Sequence, residues 1–539
     1  MYLKSEDAYT MYKEAVGSPY FVDKSFILSS LIPFIDTTSK YICITRPRRF
    51  GKSIMANMVG AFFSNACDTS DVFDSLQIAE IPEYSHHLNK HNVIYIDFSE
   101  VDDECGSYDS YITNIKELFR EDLHRAYPDV AFRKEKGTLA EDLKRINQKT
   151  GEKFIFVMDE WDAIFHMPFV TEDDKRKYLL FLKGLLKGKS YVSLVYMTGI
   201  LPIAKYSSGS ELNMFLEYSM ASQVLFSDCF GFVEAEVDVL YQRYLTHVEE
   251  PLVKREELRT WYDGYHTLSG ERMYNPRSVV AALGNNQLGN YWTSSGPYDE
   301  IFYYIGKNVA DVRNDIALMV AGEAVPAKIQ EYAATSMNIN TKEEIYSAMV
   351  VYGFLNYENG KVSIPNKELM DKFADLLQKE SSLGYVHRLA KESERMLAAT
   401  KAGDTATMES ILKYAHDTET PLLYYNNEAE LSAIVNLVYL SARDSYDVQR
   451  EDKAGVGYVD FIFYPLYDKS ADCIILELKA GQTPEKAIQQ IKDRNYSLRF
   501  NGKLGEEPRY TGRVLAVGIG YDKETKKHNC KVEVLPYVK

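Results

Sequence analysis

A chain of 539 residues is too long for one ordinary core, so roughly two to four units are expected, each with its own apolar interior. Its 45% hydrophobic and 26% charged residues read as soluble and globular, and the net charge of −16 excludes a surface that coats nucleic acid nonspecifically, while still allowing a local basic groove. No apolar run approaches the roughly 20 residues that cross a bilayer. The start Met1-Tyr-Leu-Lys-Ser-Glu6 has no basic-then-apolar leader, which predicts a cytoplasmic protein without a membrane partner. Six scattered cysteines without paired spacing predict reduced thiols rather than a disulfide framework or zinc.

The first informative element is the apolar strand Tyr41-Ile-Cys-Ile-Thr45, which runs through Arg46-Pro-Arg-Arg-Phe-Gly-Lys-Ser53 into a helical run, Ile54 to Phe63. A phosphate loop has glycine, four residues, then Gly-Lys-Ser/Thr: backbone N–H groups cradle phosphates, the lysine reaches the terminal ones and the hydroxyl holds magnesium. Here Arg46 stands where the first glycine belongs, Pro47 stiffens the entry, and Arg48 and Arg49 add positive charge. Arg46, Arg48, Arg49, Phe50, Gly51, Lys52 and Ser53 are therefore the candidate nucleotide-binding residues, with Ser53 also a metal ligand.

Further strands are predicted at Val93 to Phe98, Phe154 to Met158 and Val192 to Met197, alternating with helices. That alternation specifies an α/β fold, a parallel sheet covered on both faces. The third strand ends in Asp159-Glu160, the Walker B arrangement, in which Asp159 contacts Mg2+ through water and Glu160 polarises the attacking water. The bland alternative is a solvated strand end. Thr198, at the carboxyl end of the fourth strand, is either a sensor of the terminal phosphate or a turn residue.

From about Glu234 to Asn366 the pattern becomes helical with aromatic-rich connections and a hairpin signal at Leu355 to Ile364, predicting a helical lid and a winged-helix unit. Trp261, Tyr262, Tyr265 and Trp292 suit either an adenine or, more simply, a core. A charged helical stretch, Lys367 to Thr420, then leads into a mixed segment with four strand candidates. The expected divisions are 1–233, 234–375 and 376–539.

In that last segment Cys473-Ile-Ile-Leu-Glu-Leu-Lys479 reads as a buried strand whose period of two puts Glu477 and Lys479 on one face. Asp460 lies on the preceding strand candidate, opposite in face to Val459 and Phe461. Two carboxylates and a lysine from adjacent strands suit Mg2+ or Mn2+ with an ammonium to position water, the chemistry of metal-dependent phosphodiester cleavage. Asn427-Glu428-Ala-Glu430 opens an apolar helix, where Glu428 or Glu430 completes the metal shell; the two lie about 200° apart around a helix and cannot share the role. Downstream, Gln490, Lys492, Arg494, Tyr496 and Arg499 follow on a helix and its exit.

Seven signatures taken in order resemble the AAA-ATPase-like proteins, which are often fused to a domain of the PD-(D/E)XK nuclease superfamily. They are Phe21-Val-Asp-Lys24, Arg46 to Ser53, Met158-Asp-Glu160 with Asp162, Thr198-Gly-Ile-Leu201, Phe230-Gly-Phe232, Trp261-Tyr-Asp-Gly-Tyr265 and Tyr274-Asn-Pro276. The resemblance implies that the substituted glycine is normal, and that the fold is a P-loop NTPase core with a helical lid. It departs at Arg277, where an aromatic residue is frequent; Arg277 is then a lid arginine near the phosphates or a plain surface residue. The helix glutamate, Asp460, Glu477-x-Lys479 and Gln490, in that order, look like the PD-(D/E)XK core. The expected protein is an ATPase whose ATP and Mg2+ site controls a nuclease-like domain acting on DNA or RNA, with Glu160, Asp460, Glu477 and Lys479 catalytic. A nucleotide-gated binding or signalling switch with an inactive nuclease-like domain, and an ATPase scaffold, remain as rivals. Oligomeric state stays open.

Overall fold

The computed structural model describes residues 3–103, 105–132, 137–203, 211–220, 225–293, 309–329, 341–379, 381–383, 385–414, 428–454, 457–500 and 510–536. They form two compact units, Met1–Tyr304 with Pro326–Glu368, and Ile305–Val325 with Leu369–Lys539. No helix among the described residues is long and apolar enough to cross a membrane.

The first unit is built on five parallel strands: β1 (Tyr41–Thr45), β2 (Asn92–Asp97), β3 (Phe154–Asp159), β4 (Val192–Gly199) and β5 (Leu216–Tyr218), in the order β2-β3-β4-β1-β5. Every residue of β1, β3 and β4 is buried, which is why these strands read as unbroken apolar runs. The helix Lys52–Phe63 lays Met55, Val59, Phe62 and Phe63 into the core beneath them. β5 has no apolar run and only partial burial, so its sequence gave no strand signal.

Arg46 explains why β5 is there. Its side chain is almost wholly buried and turns away from the loop, donating to the carbonyls of Thr45 (2.7 Å), Tyr218 (2.9 Å) and Phe226 (2.6 Å) with its guanidinium over the Phe230 ring. The charge thus fastens the edge strand and the following segment to the exit of β1.

The remainder of this unit packs two small antiparallel hairpins and several helices around the loop. The hairpins are β6 (Tyr265–His266) with β7 (Arg272–Met273), and β9 (Asn356–Glu358) with β10 (Lys361–Ser363), the latter inside the predicted hairpin at Leu355 to Ile364. Tyr265 packs edge-on against Phe50 and donates to the Gly353 carbonyl at 2.8 Å. Gly353 in turn sits against Pro47. The phosphate loop therefore rests directly on the lid region. The chain passes between the units at β8 (Val325–Pro326).

The second unit holds a mixed sheet of five strands rather than four: β11 (Tyr446–Ala454), β12 (Gly457–Pro465), β13 (Cys473–Ala480), β14 (Val514–Asp522) and β15 (Lys527–Leu535), in sequential order. Only β13 and β14 are parallel, and the helix Pro484–Asp493 makes their crossover. β11 is rich in charged residues, which hides it from a hydrophobicity reading.

Replacing Arg46 with the glycine of an ordinary phosphate loop is expected to destabilise the protein by at least ~3 kcal/mol, because three carbonyls lose a buried donor. Urea unfolding of Arg46→Gly measures this; a wild-type midpoint would contradict the pinning role.

Candidate active sites

The carboxyl ends of β1, β3 and β4 converge, because parallel strands all present their carboxyl ends on one edge. At that edge Gly51 adopts φ +86°, a left-handed conformation that opens the helix Lys52–Phe63 and leaves its face clear of neighbouring atoms. Lys52 is buried, with its ammonium 3.3 Å from the Pro47 carbonyl and 3.7 Å from a Glu160 oxygen. The Ser53 hydroxyl acts on the Asp159 carboxylate and opposes the rise in its pKa. Asp159 is fully buried; its Oδ1 accepts from the Glu160 N–H at 3.0 Å, and its Oδ2 has no hydrogen-bond partner among the described residues. Burial, then the neighbouring Glu160, pushes the Asp159 carboxyl up to about 7. Glu160 itself is held at φ +47°, a strained backbone for a glutamate, and is half-buried beside Lys52.

A cavity of about 780 Å³ lies over this edge, lined by Arg48 to Ser53, Glu160 and Asp162, and on its far side by Phe21, Lys24, Phe232, Arg277 and Trp292. All belong to the first unit. The Phe21 to Lys24 segment is anchored by Asp23, which accepts from Ser25 N and Gln77 N, and by Lys24, which pairs with Glu236 at 2.6 Å. Arg48 and Arg49 line the cavity, whereas the Arg46 side chain is committed to the carbonyls of Thr45, Tyr218 and Phe226, leaving only its backbone at the loop. Thr198 is fully buried at the end of β4, and its hydroxyl has no partner among the described residues. Among the aromatics, Tyr262 and Tyr265 are core residues, while Trp292 also reaches the cavity.

Asp97 and His166 line the cavity without having been singled out in the sequence. Asp97 ends the apolar strand β2 opposite Asp159 in register, so the strand-end rule that flagged Asp159 would have found it too. His166 follows β3 in a short helical turn and gave no signal.

The second constellation lies in the other unit. Asp460 of β12 and Glu477 of β13 come together: Asp460 Oδ2 accepts from Leu478 N at 2.7 Å, and Glu477 Oε1 accepts from the Lys479 ammonium at 3.2 Å and from the Gln490 amide. Gln490 also bonds Tyr496. Glu477 is buried, its Oε2 has no partner among the described residues, and burial followed by the proximity of Asp460 pushes its carboxyl up to about 7. Glu428 opens the helix Glu428–Val438, but its side chain and those of Glu430 and Arg499 lie outside the described residues. Lys492 pairs with Glu533.

Residues 11–208 match the family described as "Predicted AAA-ATPase", and residues 426–528 match the PD-(D/E)XK nuclease superfamily. The chain joins an AAA-ATPase-like domain to a PD-(D/E)XK superfamily domain. The first match contains the whole of Arg46 to Ser53, Asp159, Glu160 and Thr198; the second contains Asp460, Glu477, Lys479 and Gln490. A curated relative, described as an uncharacterized protein in the vnfD 5'region of Azotobacter chroococcum mcd 1, is 24% identical over 282 residues, 51% of each chain. This chain thus spans about half the length of that relative. Among solved structures, a Walker-type ATPase of Pyrococcus abyssi aligns over 65% of this chain and 94% of its own at 13% identity and a TM-score of 0.36. The ORC2 protein of Aeropyrum pernix aligns over 67% and 93% at 11% identity and a TM-score of 0.32. The AAA-ATPase-like domain is shown by the family match to residues 11–208, to which the overlays add nothing.

The raised Asp159 pKa has a definite consequence for stability. An acid whose folded pKa lies above its unfolded value stabilises the fold fully below the unfolded pKa, 3.8, and loses that contribution as pH rises through about 7. In metal-free, nucleotide-free buffer, Asp159→Asn should therefore flatten the fall in unfolding free energy between pH 4 and 7 by on the order of 2–4 kcal/mol. Parallel curves for the two proteins would contradict a protonated, buried Asp159.

Proposed function

We propose that the chain binds and hydrolyses ATP at the first site, and that its nucleotide state controls a metal-dependent phosphodiesterase at the second, acting on DNA or RNA in the cytoplasm. The observation that carries this is the recurrence of one device: in each unit a buried carboxylate with an oxygen that has no partner among the described residues lies under the influence of a lysine, Asp159 with Lys52 and Glu477 with Lys479.

The donor sets fit hard divalent cations, since both offer oxygen ligands and an orphaned buried oxygen, Asp159 Oδ2 or Glu477 Oε2. Ser53 and Asp159 would hold Mg2+ in the first, and Asp460 and Glu477, with Glu428, would hold Mg2+ or Mn2+ in the second. Such an ion, when bound, neutralises charge on phosphate oxygens and makes water a better nucleophile. In the first site the loop N–H groups and Lys52 bind the β- and γ-phosphates, Arg48 and Arg49 add positive potential, and Phe50 fixes the loop on the lid through Tyr265. Glu160 accepts the proton of the attacking water. Thr198 reads the terminal phosphate, and Arg277 faces it from the lid. In the second site Lys479 positions water against the phosphodiester and Gln490 holds Glu477 in place.

A second reading is a nucleotide-gated switch whose PD-(D/E)XK-like domain recognises nucleic acid without cutting it. It is favoured by one observation: Glu477 Oε1 is already taken by the Lys479 ammonium and the Gln490 amide, which partly satisfy the carboxylate without a metal.

Lys52→Ala should weaken ATP binding at least 100-fold, while Lys479→Ala leaves it unchanged and lowers cleavage by a similar factor. Fluorescent-nucleotide titration and gel assays on single- and double-stranded DNA and RNA, with ATP and Mg2+ or Mn2+, measure both. Binding without any product, surviving in Asp460→Asn and Glu477→Gln, would replace the nuclease reading with the switch.

A further inference from the structure

Among the described residues, Asp162 is the buried acid of the first site to which the mechanism above gives no task. It is 1% exposed, lies three residues past Asp159 and lines the cavity. Its Oδ2 accepts two consecutive backbone N–H groups from the far side of the sheet edge, Ile200 at 3.0 Å and Leu201 at 2.6 Å. Two main-chain donors on one carboxylate oxygen hold a turn in one position, and the low local dielectric makes both bonds strong.

The turn it holds is the exit of β4. The carbonyl of Thr198 accepts from Trp161 N at 3.1 Å, and that of Gly199 accepts from Arg46 N at 3.1 Å. Thr198 and Gly199 are therefore tied on one side to the segment carrying Asp159 and Glu160, and on the other to the start of the phosphate loop. Gly199 is where the fit is tightest: a Cβ there would meet Asp162 Oδ1 and, at 2.5 Å, Trp161 Cδ1. The carboxylate thus lies directly on the turn that carries the Thr198 hydroxyl. Burial, then the nearby Glu160, raises the Asp162 pKa, while Lys52 and the backbone donors oppose that shift.

Resting on the reading that this site hydrolyses ATP, we propose that Asp162 is a positioning residue: it clamps the Thr198–Leu201 turn so that the Thr198 hydroxyl stands at the terminal phosphate in register with Glu160. Misplacing such a group by about 1 Å costs on the order of 100-fold in rate without a matching loss of binding. A purely structural acid would instead change stability and affinity together.

The test is steady-state ATPase kinetics and ATP affinity for the full chain, Asp162→Asn, Thr198→Val and the double variant. Asp162→Asn keeps one oxygen for the turn and should lower kcat about 10- to 100-fold, with KM and ATP affinity within about threefold of wild type. Thr198→Val removes only a hydroxyl that lacks a partner, so it should keep its unfolding midpoint while losing at least about tenfold in kcat. If Asp162 acts through Thr198, the double variant falls no further than the slower single one. Additive losses, a loss confined to KM, or a wild-type kcat in Asp162→Asn would overturn the inference while leaving ATP hydrolysis intact. Thr198→Val hydrolysing at the wild-type rate overturns it even where Asp162→Asn does not fold, and a tenfold lower kcat in that variant supports it. Absence of phosphate release from the unaltered chain, with ATP still bound, would instead overturn hydrolysis itself and this inference with it.

Discussion

The buried guanidinium of Arg46 is the contact on which the first domain's architecture depends. A phosphate loop ordinarily spends glycine at this position to let the backbone turn; here an arginine turns its side chain into the protein and holds three carbonyls. Burying a charge is costly unless it is compensated, and these carbonyls together with the Phe230 face offset that cost. The return is positional. β5, which has little apolar surface of its own, is fixed beside β1, and the chain after it delivers Gly231 and Phe232 to the cavity wall. The Arg46 backbone N–H meanwhile bonds Gly199, so the same residue sets the spacing between the loop and the end of β4.

From that spacing follows the electrostatics of the site. Lys52, Asp159 and Asp162 are all nearly excluded from solvent at one sheet edge, and Glu160 is pressed beside them on a strained backbone. Asp159 and Asp162 are pushed toward neutrality by desolvation and then by the neighbouring Glu160, a state that a bound cation would relieve. The second unit reaches a similar condition by different topology. There an antiparallel neighbour brings Asp460 to Glu477, and the parallel crossover helix brings Gln490 onto the same carboxylate. Two unrelated sheets thus present a buried acid, a lysine and an orphaned oxygen.

Much of this was legible in the sequence, and the failures have physical causes. β1, β3 and β4 announce themselves because a strand buried on both faces must be apolar throughout, and Asp159 at the end of β3 stands out against such runs. The period of two placed Glu477 and Lys479 on one face, and they do meet. β5 and β11 were invisible or faint because their places are set by partners, not by their own hydrophobicity. The direction of the Arg46 side chain could not be read, since its acceptors lie at Tyr218 and Phe226, over 170 residues away. Asp162 stands in the Met158-Asp-Glu160 motif region, but its backbone donors, Ile200 and Leu201 just past β4, are revealed by no local pattern.

One chain is proposed to carry two separate phosphate-directed metal centres, one dependent on nucleotide and one not. Counting Mn2+ by calorimetry and paramagnetic resonance, with and without a non-hydrolysable ATP analogue, tests this most directly. The account predicts one site in the absence of nucleotide, lost in Asp460→Asn, and a second that appears only with the analogue and is lost in Ser53→Ala. A single site that responds to both substitutions, or no site without nucleotide, would contradict it.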